Sequence, residues 1–291
     1  AARGAAGQHH DHDHDHDHDQ HHHEVHDGHR HDGGSAALSL GFLELARPLL
    51  AWAHEPLRAR VARLSAAHGR PAPLPHSHPL FRLAPDRLMS MVSRTMVLEL
   101  NVARVEGRLT GTTPEERFAS FIQRLHDPAN ALTLLAEYPV LAREIVDLLR
   151  RWVEVRAELA ERLLTDLPEL RRTFGVTADG LDDLVDIRFG VGDSHRGGRT
   201  VAVVTFPGGD KLVYKPRSIS VETHFNALLD WLNARGLTHP LRTLRVMERD
   251  SHGWVEFVAA AGCADEAEAR RFFWRHGAYL ALFYAIRGSD F

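Results

Sequence analysis

The stretch from residue 184 to residue 236 admits the fewest folds. Its start, residues 185–189, alternates apolar Val185, Ile187 and Phe189 with charged Asp186 and Arg188, the period of a half-buried strand. Gly190, Gly192, Gly197 and Gly198 follow, and a backbone so rich in glycine turns tightly and comes close to a ligand. Residues 200–206 are β-branched and apolar, and Pro207-Gly208-Gly209-Asp210 is hairpin chemistry. The returning strand over 211–215 ends in Lys215. A helix is predicted from about Val221, with Ser218 or Ser220 placed to cap it and Glu222 in its first turn.

A chain of 291 residues, 44% hydrophobic, is large enough for a sizeable core. The formal charge of −4 gives no basic footprint for nucleic acid or a membrane surface. The single cysteine, Cys263, excludes an intramolecular disulfide and a cysteine zinc cluster. No apolar run reaches membrane-spanning length and no secretory signal is present, so the expectation is a soluble cytoplasmic protein. The chain lacks an initial methionine and stops at Asp290-Phe291 inside an apolar pattern, which reads as a fragment open at both ends.

Residues 1–35 stand apart. Twelve of the 22 histidines lie between His9 and His31, interleaved with aspartates, and only Val25 is apolar in that span. Such a tail cannot build a core and is expected to be disordered. Its imidazoles and carboxylates can bind zinc, nickel or copper, but the favoured reading is a solvated tail that binds metal only adventitiously, ahead of one that sequesters metal by design. From residue 36 to 183 the period is helical. Residues 38–67 form a helical stretch expected to break at Pro48 and Pro56, and 88–105 a helix buried along Leu88, Met91, Val92, Thr95, Met96, Leu98, Leu100 and Val102. Thr113-Pro114-Glu115-Glu116 is a helix start, and His126 a helix end. The longest helix, 140–164, is expected to stop before Leu167-Pro168. Beyond the central stretch, 241–248 and 254–258 pair as a hairpin, and 264–286 is a helix whose Phe272, Phe273, Tyr279, Leu280, Phe283 and Tyr284 are expected in the core.

Glycine turn, hairpin, lysine strand and helix come in the order that protein kinases use to handle phosphates. The turn opens with Gly190-Val191-Gly192 but then departs from the kinase spacing. Lys215 can hold nucleotide phosphates; by position alone it is equally an edge-strand lysine. Asp193 and His195, two apart in the turn, suit general acid/base work, as they also suit an ordinary turn. Arg199 can contact phosphate or be a flanking charge. Glu222 can pair with Lys215 or serve the helix dipole. Glu256 and Val258 fall where a kinase hinge offers backbone groups to adenine. Asp290 falls where a kinase places its aspartate base, although a turn aspartate fits there as well. No residue is singled out as a metal ligand.

The literal strings GDSHRGGR, KLVYKPRS and HFNALLDWLN are similar to the dehydratase domain of class II lanthipeptide synthetases, the LanM family. VLELNVARVEGRLTGTTPEERFASF, AEYPVLAREIVDLLRRWV, GWVEFV and ALFYAIRGSDF extend the likeness over most of the chain after the tail. GDSH departs from the GDPH and SDPH of related members but keeps Asp and His. The resemblance implies an α+β fold: a helical region to residue 183, a kinase-like small lobe resembling lipid kinases over 184–262, and the start of a large lobe over 263–291. It implies an enzyme that phosphorylates serine and threonine of a ribosomal precursor peptide, leader plus core, using ATP and Mg2+, and then eliminates the phosphate. Lys215 then matches the ATP-phosphate lysine, Asp193 and His195 dehydratase positions, and Asp290 the aspartate of a D-x-H-x-x-N element. Gly190, Gly192, Arg199, Glu256 and Val258 would line the nucleotide. Zn2+ belongs to a cyclase domain that this stretch lacks, and the fragment alone is expected to be inactive. The competing readings are a kinase-like phosphotransferase without elimination, and a peptide-binding module with a metal-binding tail.

Overall fold

The computed structural model describes residues 40–70, 72–191 and 198–288, so the histidine-rich tail lies outside the described residues. The protein is α+β, with a helical half feeding an antiparallel sheet. A short 3-10 helix, Gly41–Ala46, runs straight into α1, Arg47–Ala67. Neither proline breaks it. Pro48 sits in the first turn, where a missing N–H is harmless, and Pro56 is held inside because Ala53, Leu57 and Val61 beside it are fully buried. α2, Pro85–Val105, buries Leu88, Val92, Met96 and Ala103, a narrower face than the sequence suggests, with Leu98 exposed. α3, Pro114–Leu125, begins with the predicted cap. The Glu116 N–H donates to Thr113 Oγ1 at 3.2 Å, and the Thr113 N–H donates to Glu116 Oε2 at 3.1 Å. His126 closes the helix as expected. α4, Pro128–Glu137, follows.

α5, Pro139–Phe174, carries the molecule. Its 36 residues span about 54 Å at ~1.5 Å each. It does not stop before Pro168. That proline removes the N–H due to the Leu164 carbonyl, but Leu167 and Leu170 on either side are buried and keep the helix in line. It ends at Gly175 with φ +79°, whose N–H donates to the Arg171 carbonyl.

The sheet has the order β1-β2-β3-β5-β4, all antiparallel: β1 Asp186–Phe189, β2 Ala202–Thr205, β3 Lys211–Lys215, β4 Val246–Glu248 and β5 Gly253–Glu256. α6, Ser220–Asn233, joins β3 to β4. The last hairpin is shorter than its apolar pattern. Residues 241–244 are kept out of the ladder by two asparagines two turns apart on α6. The Asn233 amide exchanges hydrogen bonds of 2.8 Å with both backbone groups of Leu241, and Asn226 does the same to Leu244 at 2.7 and 3.1 Å.

Alternation divides the sheet cleanly. Ile187, Ala202, Val204, Leu212, Tyr214, Met247 and Trp254 join the main core with the α5 side chains Leu159, Leu163 and Leu170. Val213, Lys215 and Val255 point the other way, beneath α6. α7, Glu266–Ile286, is capped by Asp265 and buries none of its residues. Its aromatic stripe is therefore not core: Phe273, Leu280 and Tyr284 are largely exposed, while Phe283 and Tyr279 stack on Phe225 of α6. A single neighbouring helix covers only one edge of so broad a stripe. Among the described residues no helix is long and apolar enough to cross a membrane.

Candidate functional site

Lys215 ends a strand flanked on both sides, so it is not an edge-strand lysine. Its Nζ lies 2.9 Å from Glu222 Oε1, and the Arg217 Nη2 reaches the same oxygen at 2.8 Å. Burial pushes the Glu222 carboxyl up, but the hydrogen bonds from Lys215 and from its own backbone N–H, with Arg217 nearby, outweigh that and hold it below the usual glutamate value. The carboxylate therefore stays ionised.

The helix carrying Glu222 is set down close to the sheet by Gly253, the ladder partner of Lys215. A Cβ on Gly253 would lie 2.3 Å from Ile219 Cδ1, so only glycine admits the fully buried Ile219 at the start of α6. The predicted cap lies one residue earlier than a helix cap should: Ser218 Oγ accepts from the Ser220 N–H at 3.3 Å, while Ile219 occupies the cap position without a side-chain bond. Beneath this helix opens a cleft of about 280 Å³. Lys215 and Glu222 form its charged end; Leu229, Leu244, Val246, Val255, Val258 and Tyr279 form apolar walls.

The structure thus brings Lys215, Glu222 and Val258 together. Gly190 leaves β1 with φ +78°, and its N–H donates to Thr200 Oγ1 at 3.0 Å. The register puts it two strands from Lys215, roughly 10 Å at ~4.8 Å per strand. Arg199 is held by Glu158 of α5 at 2.9 Å. The Glu256 side chain is taken by Arg242 and Arg245 at 3.1 and 3.0 Å, so it can serve a ligand only through its backbone. Gly192, Asp193, His195 and Asp290 lie outside the described residues. Among the described residues no three His, Cys, Asp or Glu side chains gather as a metal cage.

The sequence reading missed a polar column along α5 that fixes the sheet. Glu158 pairs with Arg199 and, at 2.5 Å, with Arg162. Arg162 donates to the Tyr214 hydroxyl at 2.6 Å and to Ser251 at 3.2 Å. Burial pushes the Tyr214 phenol up to about 12. Asp166, 2% exposed, accepts from Arg249 at 2.9 Å, His252 at 2.7 Å and Trp254 Nε1 at 2.8 Å. Glu169 takes the other side of Arg249 at 2.5 Å. The spacing 158, 162, 166, 169 is one helix face, and charges recurring at that spacing beside the apolar stripe were the available signal.

Residues 138–291 match the family described as a domain of unknown function, DUF4135. The chain is also 22% identical over 214 residues, 70% of its length, to the lacticin 481/lactococcin biosynthesis protein LcnDR2 of Lactococcus lactis subsp. lactis. That match spans 23% of the relative's length. With more than half its residues inside the matched region, including the cleft and the whole sheet, the chain belongs to the DUF4135 family and is similar to a class II lanthipeptide synthetase.

Proposed function

We propose that the Lys215 cleft binds the phosphates of ATP, in a kinase-like small lobe belonging to an enzyme that dehydrates serine and threonine of a precursor peptide. The observation that carries the reading is the 2.9 Å Lys215–Glu222 pair at the charged end of an apolar-walled slot. An ammonium fixed by a carboxylate on the next helix keeps its other donors directed at the slot, where it can offset phosphate charge. The walls from Leu244 to Val258 suit a flat ring. β5 ends at Glu256, which frees the following backbone groups to bond an adenine edge.

Bound ATP supplies the phosphoryl group. A Mg2+ ion here would draw its ligands mainly from phosphate oxygens and water, as this ion usually does. Asp290 is assigned alignment or deprotonation of the substrate hydroxyl, and Asp193 and His195 phosphate elimination or substrate positioning. These three roles rest on the family resemblance. The relative's printed role in lacticin biosynthesis supports a ribosomal precursor peptide as partner, and an ATP-driven peptide modification fits the cytoplasm.

The test is titration of the chain with a fluorescent ATP analogue. Lys215→Ala should weaken binding roughly tenfold or more, ~1.4 kcal/mol per decade. Its unfolding free energy in urea should fall by less than about 1 kcal/mol, because Arg217 still pairs with Glu222. Unchanged affinity in a folded Lys215→Ala protein would overturn the reading.

A further inference from the structure

Arg156 of α5 is 6% exposed, yet it pairs with no carboxylate among the described residues. Its Nη2 donates to the Arg82 carbonyl at 3.0 Å, and its guanidinium lies over the Phe189 ring, 3.1 Å from the centroid. Nε and Nη1 have no hydrogen-bond partner among the described residues. Burial pushes it down to about 9, so it remains a cation at neutral pH. One carbonyl and an aromatic face offset only part of the hydration lost. Asp166, the other deeply buried charge, is bonded on both oxygens. An unpaired guanidinium inside a fold is destabilising, and a ligand that supplies its counter-charge removes that penalty.

A cavity of about 140 Å³ lies against Arg156, walled by Leu83, Trp152 and Phe189. Arg87 and Arg151 stand on its lining as well, and neither has an ion-pair partner among the described residues. Thr200 also lines it. The hydroxyl oxygen of Thr200 already accepts from Gly190, which leaves its own hydrogen to donate. Three guanidiniums and a hydroxyl donor in an apolar pocket match a tetrahedral dianion better than a single carboxylate, because arginine's fixed donors fit phosphate oxygens. The cavity shares Arg87, Leu148 and Arg151 with a larger cleft of about 710 Å³ between α2 and α5, which has room for whatever the anion is attached to.

We propose that the pocket formed by Arg156, Arg151 and Arg87 is a second anion site, which takes a phosphate group, free or at the end of an ester. It lies on the α5 face of the sheet, away from Lys215, and does not depend on the nucleotide reading.

The experiment follows 31P resonances of inorganic phosphate and of O-phosphoserine as protein is added at constant ionic strength. Saturable binding is expected for the unaltered chain. Arg156→Met should lose it by roughly tenfold or more, with no fall in the melting temperature measured without phosphate. Arg156→Met should bind the fluorescent ATP analogue as the parent does, because Arg156 does not line the Lys215 cleft, so loss of the nucleotide site and loss of this one are separable. Tighter binding of phosphoserine would assign the site to an ester, and equal or weaker binding to the free ion. No saturable binding, or Arg156→Met binding like the parent, overturns the proposal. Should Arg156→Met fail to fold, the rim double variant Arg87→Gln/Arg151→Gln decides in the same way.

Discussion

The two faces of the sheet are built by opposite rules. On the α5 face every strand contributes to the main core, and side chains of the sheet and its last hairpin are tied to α5: Tyr214 to Arg162, Trp254 and His252 to Asp166. On the α6 face Val203 and Val255 are buried outside that core, and an ion pair stands at the head of an open cleft. Strands alternate, so a single sequence supplies both surfaces, and its odd and even residues serve different ends. One face holds the fold together, and the other opens a cleft headed by the Lys215–Glu222 pair.

Substitutions on the two faces should therefore separate stability from binding. The largest loss is expected for Trp254→Ala, which empties a fully buried indole site and leaves Asp166 short of a donor; urea unfolding should show roughly 4 kcal/mol. A comparable loss from Lys215→Ala would erase the distinction between the faces.

Asp166→Asn comes next, at about 2–3 kcal/mol near neutral pH, because one amide cannot accept from three donors. Burial pushes the Asp166 carboxyl up, but the bonds from His252, Arg249 and Trp254 outweigh it and hold it below the usual aspartate value. A depressed folded value means stability that is present above the unfolded value near ~4 and is lost as pH falls through the lower folded one. Unfolding midpoints measured from neutral pH down to acid should fall less steeply below about pH 4 in Asp166→Asn than in the parent. Parallel curves would remove Asp166 from the acid response.

The smallest effect is expected on α7. Tyr284→Ser, at a residue 87% exposed, should change stability of this chain by no more than about 0.5 kcal/mol in the same assay. A larger change would mean that the stripe packs after all.

Local chemistry was legible wherever neighbours in sequence decide it. β3 runs over the residues its alternation predicts, and Thr113 and Glu116 form the reciprocal cap their spacing calls for. Prolines misled because their effect depends on what surrounds them. Pro56 and Pro168 sit beside buried side chains that hold the helices together across the missing hydrogen bond. The aromatic period over residues 264–286 identified a helix and its apolar face, but period carries no information about what lies against that face. Glu222 could be placed near Lys215 only as one of two options, because the choice is made by a contact between Gly253 and Ile219, more than thirty positions apart. Asp166 was invisible for the same reason: its three donors all come from beyond residue 248.

The polar column on α5 also works as a ruler. Glu158 marks the entry to β2, Arg162 marks β3, and Asp166 with Glu169 marks the β4–β5 hairpin, so each helical turn is matched to a successive part of the sheet. If the sheet slid by one turn, about 5.4 Å, every mark would meet the wrong partner at once. Registry between the halves is thus set digitally, and misdocking by a small step gains none of the bonds that the correct position makes.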